Sequence, residues 1–253
     1  MERGNNSIDP AIAASALQWW ADAGVDVMVD EEPRDWLRPK PKPETSSPAA
    51  PVAIGQQRQG QKPTAQAEPL PDQLPLFHAY LRDSDALPYA SPSAPRVCPS
   101  GDPAAGLMFV TDMPEAEDCS TGTLLSGEAG RLFDRMLAAI GRDRNSVYLA
   151  SLSCLRSPDG RFTAAASTHC ANLARHHVGL ASPNCVLLFG DACSKALLGL
   201  SVIKARGRWH RLSTHAGDIP ALVTFAPSHL LEQPSAKRLA WADLQMLVEG
   251  PTP

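Results

Sequence analysis

A three-layer α/β/α architecture, helices on both faces of a four-stranded parallel sheet, is the fold class this sequence predicts. Three observations carry the prediction. From about Arg96 onward, short apolar runs alternate with segments of helical period. Strands and helices then follow one another in turn, the pattern of parallel strands joined by crossover helices. The chain has 253 residues, 43% of them hydrophobic, which suffices for one core plus accessory segments. The expected organisation is a helical N-terminal arm over residues 1–37, a disordered linker over 38–75 and one folded domain over 76–253.

Each element has its own signal. Residues 8–29 read as the helix of the arm, with Asp9 as a capping residue, Pro10 in the first turn and Ala13, Leu17, Trp20 and Ala21 as an apolar stripe. Residues 38–75 are rich in Pro, Gln, Ala and Ser and cannot bury enough surface to offset ordering entropy. A short helix is expected within 76–90. GLMFVT (106–111), SVYLASLS (146–153), CVLLFG (185–190) and PALVTFA (220–226) read as the four strands. Leu132, Phe133, Met136, Leu137 and Ile140 share one face of the helix that Gly141 ends. Residues 163–180 form the next helix, and Asp191 is expected to cap the one after it. The last helix spans 234–249, with Pro234 in its first turn and Leu239, Ala240, Leu244, Leu247 and Val248 inward. In such sheets the site lies at the carboxyl ends of the strands, here residues 111–115, 151–156, 190–191 and 226–229.

Charge is unevenly spread. The net −4 comes from residues 1–50, which hold nine acids and five bases. Residues 101–130 hold six acids and no base, whereas 142–238 hold twelve bases and five acids. Basic loops on one face suit phosphate contacts, or an ordinary solvated surface. No run of 18 apolar residues is present, so no membrane association is expected, and MERGNNSIDP lacks the pattern of a secretory leader. A cytoplasmic, reducing location is therefore expected, with the six cysteines as thiols or metal ligands.

GEAGRLFDRMLAAIGRDRNSVYLAS, LLFGDACSKALLG, RGRWH (206–210) and PSAKRLAWADLQ (234–245) carry a resemblance to the uracil-DNA glycosylase superfamily, most closely its iron–sulfur (family 4) branch, over roughly residues 96–249. The resemblance implies a sheet that binds DNA and flips a base out of the stack, because the glycosidic bond is unreachable inside a duplex.

Residue by residue, the resemblance also predicts departures. The family's first loop resembles Gly-Glu-Ala-Pro-Gly; here it is Thr111-Asp112-Met113-Pro114-Glu115, which keeps a carboxylate at Asp112 and Pro114 but replaces both glycines. The stacking phenylalanine of Gly-x-x-Phe-x-Gly is Leu125, a loss of stacking worth ~1–3 kcal/mol. The base-reading asparagine is Ser151, whose hydroxyl lacks the paired donor and acceptor of an amide. The His-Pro-Ser motif is Ala226-Pro227-Ser228, so Ala226 stands where the leaving group is helped; one such donor is worth about 10²–10³ in rate. His229 is a candidate to reach back into the site.

Phosphate contacts are expected from Arg206, Arg208, Trp209 and His210, from Pro227 and Ser228, and from Lys237 and Arg238 at the start of the last helix. A 4Fe–4S cluster requires four thiolates. Cys154 and Cys170 have the later spacing of the family's ligands, and Cys98 and Cys119 complete the one conceivable set, but there is no Cys-x-x-Cys. Alignment on Val147-Tyr148 and Arg156 puts Leu155, not Cys154, at the ligand position, so no cofactor is expected, with a 4Fe–4S cluster on those four cysteines as the alternative.

The function these features imply is a DNA-binding relative of uracil-DNA glycosylases, linked to base-excision repair, in which uracil excision is weak or lost. The alternatives are an active glycosylase on uracil or another damaged base that uses Asp112 or His229, and a non-enzymatic interaction protein whose arm docks a partner through Trp19, Trp20 and Trp36.

Overall fold

The computed structural model describes residues 70–251. The expected arm (1–37) and nearly all of the expected linker (38–75) lie outside the described residues. The elements in chain order are α1 (Leu74–Asp83), β1 (Ser100–Gly101), β2 (Leu107–Thr111), α2 (Ala116–Thr121), α3 (Gly127–Ala139), β3 (Tyr148–Ser151), α4 (Ala164–Ala181), β4 (Cys185–Phe189), α5 (Gly190–Leu198), α6 (Val202–Ala205), β5 (His210–Thr214), β6 (Gly217–Thr224), α7 (Pro227–Glu232) and α8 (Lys237–Glu249). Short 3-10 turns cover Pro103–Ala105, Arg144–Ser146 and Pro234–Ala236.

The four apolar runs become the four parallel strands. Every residue of β2 is buried, as is every residue of β4 after Cys185, because strands covered on both faces have no side to leave polar. The order is β1-β3-β2-β4-β6-β5, with Val110 opposite both Ala150 and Leu188, and Leu188 opposite Val223. The sheet therefore has six strands, not four: β1 and β5 are antiparallel edges. Neither has the apolar run that marks a central strand. β1 has two residues, and β5 is HRLST, whose only buried side chain is Leu212.

Side chains alternate across the sheet. Met108, Val110, Ala150, Val186, Leu188 and Val223 face Cys170, Ala174 and Val178 of α4 and Cys193 and Leu197 of α5. Phe109, Leu149, Leu187, Phe189 and Leu222 face Phe133 and Leu137 of α3 and Leu244 and Leu247 of α8. The three expected layers follow. A third cluster docks α1 through Phe77 and Leu81 onto Leu155 and Leu173.

Two helical expectations differ from the structure. Phe189, not Asp191, stands at the N-cap of α5; the Asp191 carboxylate instead accepts the N–H of Val202 at 3.0 Å. On α8, Leu239 and Val248 are exposed, and the inward positions are Ala240, Asp243, Leu244 and Leu247. No described helix is long and apolar enough to cross a membrane.

Candidate functional site

The parallel strands all end on one side of the molecule, and Asp112 is the residue that follows β2 there. Asp112 Oδ1 accepts the N–H of Cys193 in the first turns of α5, at 2.9 Å. Burial pushes its carboxyl up to about 6, against the stabilising pull of that hydrogen bond. Oδ2 has no hydrogen-bond partner among the described residues. β4 runs into α5 without a loop, and Gly190 makes the turn at φ +84°. A Cβ on Gly190 would lie 3.0 Å from Asp112 Oδ2 and 3.5 Å from the Ala226 methyl. Glycine thus supplies both the backbone angle and the clearance that let Asp112 and Ala226 approach from either side. A carboxyl that titrates near neutrality can take a proton from water, but what stands beside it at the end of β6 is a methyl group.

The segment between β2 and α3 is pinned by two residues that pattern reading passed over. The buried Asp118 accepts the N–H of Glu115 on Oδ2 (3.0 Å) and both the N–H and Oγ–H of Ser126 on Oδ1 (2.7 and 2.6 Å). Arg144 donates to the carbonyls of Leu124 and Leu125 (2.9 and 2.6 Å) and to Asp134. Leu125 is held at φ +50°, a conformation β-carbon-bearing residues rarely adopt, and its carbonyl lies where any side chain on Gly130 would collide. The Leu125 side chain is buried in the layer of Phe109 and Phe133. Met113 and Pro114 are also buried. Met113 Sδ accepts Ser157 Oγ–H at 3.7 Å, and the Pro114 carbonyl takes Arg156 at 2.9 Å. Ser151 is half-buried at the end of β3, on the Leu149 side of the sheet.

His229 does not behave as a reach-back group. Its ring lies on Phe225, centroids 5.1 Å apart and nearly parallel, and no hydrogen bond joins it to Asp112 among the described residues. Pro227 and Ser228 open α7, with Ala226 at its N-cap.

The basic residues divide into two kinds. Arg206 was expected to contact phosphate, and the structure corrects this. Its guanidinium donates to both oxygens of Asp243 (3.1 and 3.0 Å) and to the Leu239 carbonyl (2.7 Å), and lies over the Phe225 ring. Asp243, fully buried, also accepts Thr224 Oγ1–H at 2.8 Å and the N–H of Gly207 at 3.1 Å. Arg206 therefore ties the loop before β5 to α8. His210 Nε2 donates to the Ala205 carbonyl (2.7 Å), and Trp209 packs half-buried on the core. Arg208, Lys237 and Arg238 are exposed, and no carboxylate pairs with them among the described residues. The register of β5 on β6 (His210 opposite Ala221) carries Arg208 toward the end of β6 where Ala226 stands.

Of the four cysteines considered for a cluster, Cys98 and Cys170 lie near enough to Cys154 to raise its thiol further. Cys154 Sγ–H donates to the Leu81 carbonyl, and burial pushes the Cys154 and Cys170 thiols up to about 12 and 11. Cys119 is on α2, in the field of Asp118 and Arg156. The described residues contain no group of three or more His, Cys, Asp or Glu placed to hold a metal ion. Beside Cys154 and Cys170, a cavity of about 20 Å³ reaches His177. There Tyr148 Oη lies 2.6 Å from His78 Nε2 and 2.7 Å from His177 Nε2, bridging α1 and α4 through β3. Sequence reading missed this chain; its members share no motif.

Comparison with known proteins agrees with this frame. The chain is similar to the type-4 uracil-DNA glycosylase of Pyrobaculum aerophilum, 22% identical over 184 residues, 70% of this chain and 94% of that protein. It is also similar to the type-4 uracil-DNA glycosylases of Archaeoglobus fulgidus (21% identical, 59% of this chain and 78% of that protein) and Thermotoga maritima (25%, 55% and 74%). The uracil DNA glycosylase superfamily model matches residues 98–245, more than half of the chain. With its parallel sheet and strand-end carboxyl in place, the chain belongs to the uracil DNA glycosylase superfamily, on the side of its type-4 enzymes.

Proposed function

We propose that this chain binds DNA at the strand-end face in base-excision repair, with uracil excision weak or absent. One observation carries the reading: across Gly190 from the half-buried Asp112 stands the Ala226 methyl, where the family resemblance calls for an imidazole. A departing uracil anion then lacks its preorganised donor, while Arg208, which donates to the Lys204 carbonyl at 2.9 Å, Lys237 and Arg238 stay exposed to phosphates. The test is excision from a uracil-containing oligonucleotide by wild type and by Ala226→His. The expected result is slow or undetectable cleavage by wild type and a gain with the histidine. Wild-type turnover matching a type-4 enzyme assayed alongside refutes the proposal.

A second reading has one specific observation in its favour. Asp112, titrating near 6, is suited to activating water in a glycosylase that acts on a base with a better leaving group. Cleavage of any damaged base that vanishes in Asp112→Asn, and rises with pH through about 6, selects this reading over the first.

A further inference from the structure

A groove of about 220 Å³ runs between α3 and α8 and is closed at one end by Leu230 of α7. One wall is Leu132, Arg135, Met136 and Ala139, spaced i, i+3, i+4, i+7 along α3. The other is Lys237, Ala240, Trp241 and Leu244, with the same spacing along α8. The apolar stripe of α8 continues to Val248, which is exposed, and Trp241 leaves 42% of its surface open. Two amphipathic helices thus present an apolar strip about two turns long to solvent.

Two features decide what fits. The only charges on the groove are cationic, Arg135 and Lys237, and neither has a carboxylate partner among the described residues. The neighbouring acids are already engaged: Asp134 by Arg144, Glu128 by Arg131. An occupant must therefore bring carboxylates to the rim and apolar side chains to the floor. Both walls are helices whose backbone groups are paired internally, so the groove offers no main-chain hydrogen bonds to an extended strand. The occupant has to satisfy its own backbone, which a helix does.

We infer that this groove is a docking site for an acidic amphipathic helix of a partner protein. The two rim cations fix its polarity and Trp241 closes over its apolar face. The groove uses none of the residues around Asp112, and shares only Lys237 with the phosphate contacts proposed above.

The test uses full-length protein and two synthetic helical peptides of about 14 residues. Both carry Leu at i, i+3, i+4 and i+7; one has Glu and the other Lys at the flanking positions. Binding is followed by titration calorimetry and by the Trp241 indole resonance, assigned with Trp241→Phe. The expected result is that the Glu peptide binds and shifts that resonance while the Lys peptide does not. Arg135→Glu should weaken the Glu peptide by about tenfold or more. Ala139→Glu, a second exposed change that fills the groove, should do the same, with each variant's melting temperature checked to remain that of wild type. Equal binding of both peptides, or of neither, overturns the inference. So does a duplex oligonucleotide that moves the Trp241 resonance and displaces the Glu peptide, which would make the groove a nucleic-acid surface. Self-association that Trp241→Ser abolishes would assign the groove to a second copy of the chain and overturn it equally.

Discussion

Two aspartates near the strand ends, Asp243 fully buried and Asp112 half-buried, live very differently. Among the described residues Asp243 accepts four hydrogen bonds from three residues: two from the Arg206 guanidinium, one from Thr224 and one from the N–H of Gly207. Among the described residues Asp112 accepts one, from the N–H of Cys193, and its Oδ2 accepts none. A buried carboxylate that is fully satisfied and paired holds a structure together. One kept costly and half-satisfied is the signature of a chemical site. The difference teaches that superfamily membership and burial do not by themselves separate scaffold from chemistry; partner count does.

The comparison can be broken in order of expected effect. Asp243→Ala should be the most damaging, leaving the buried Arg206 charge unpaired at a cost of about 3–5 kcal/mol, read by urea denaturation. A loss below 1 kcal/mol would remove the scaffold role.

Asp112→Asn should go the other way. The folded-state carboxyl is raised from 3.8 to about 6, so its favourable contribution is complete below pH 3.8 and is lost as pH rises through 6. The asparagine variant should match wild type near pH 4 and exceed it by roughly 2–3 kcal/mol above pH 7, since its amide oxygen still accepts the Cys193 N–H. Equal stability at both pH values would mean that Asp112 is not held at a cost.

A third group sharpens the contrast because only burial and like charges act on it. His177 is lowered from 6.5 to about 3, first by burial and then by repulsion from His78 and His176. Its folded pKa is depressed, so stability is intact above pH 6.5 and falls as pH drops toward 3, by about 1.4 kcal/mol per unit. Denaturation at pH 7 and pH 4.5 should therefore differ by about 2–3 kcal/mol from this residue, a difference that His177→Phe should largely abolish. The smallest effect belongs to the rim. Arg208→Ala should change stability by less than about 0.5 kcal/mol while reducing the salt slope of DNA binding by about 1. Arg206→Ala should do the reverse, with its effect on stability.

What could be read from the sequence was what local pattern encodes. The four central strands announced themselves as unbroken apolar runs, and α3 by its stripe. β5 did not, because an edge strand needs only one buried residue, Leu212. Leu239 and Val248 were expected inward because α8 is apolar around much of its circumference; the sheet selects one face, and the groove keeps another open. At the site, Asp112 and Ala226 were legible from motif position. Arg206 was misread because its partner is 37 residues away, and charge alone cannot tell a phosphate ligand from a rivet. The same distance effect hid Arg144, whose carbonyl partners are 19 and 20 residues away, and the chain through Tyr148, whose histidines are 70 and 29 residues from it.

A hydroxyl owns a single proton, and Tyr148 has an imidazole nitrogen on each side of it. It gives that proton to one ring and must receive one from the other, so with both rings neutral they hold opposite tautomers. Two residues of identical chemistry are thereby made unlike. Reversing the direction of the chain takes a concerted exchange on both rings, and nitrogen chemical shifts of His78 and His177 would record which way the interior is polarised.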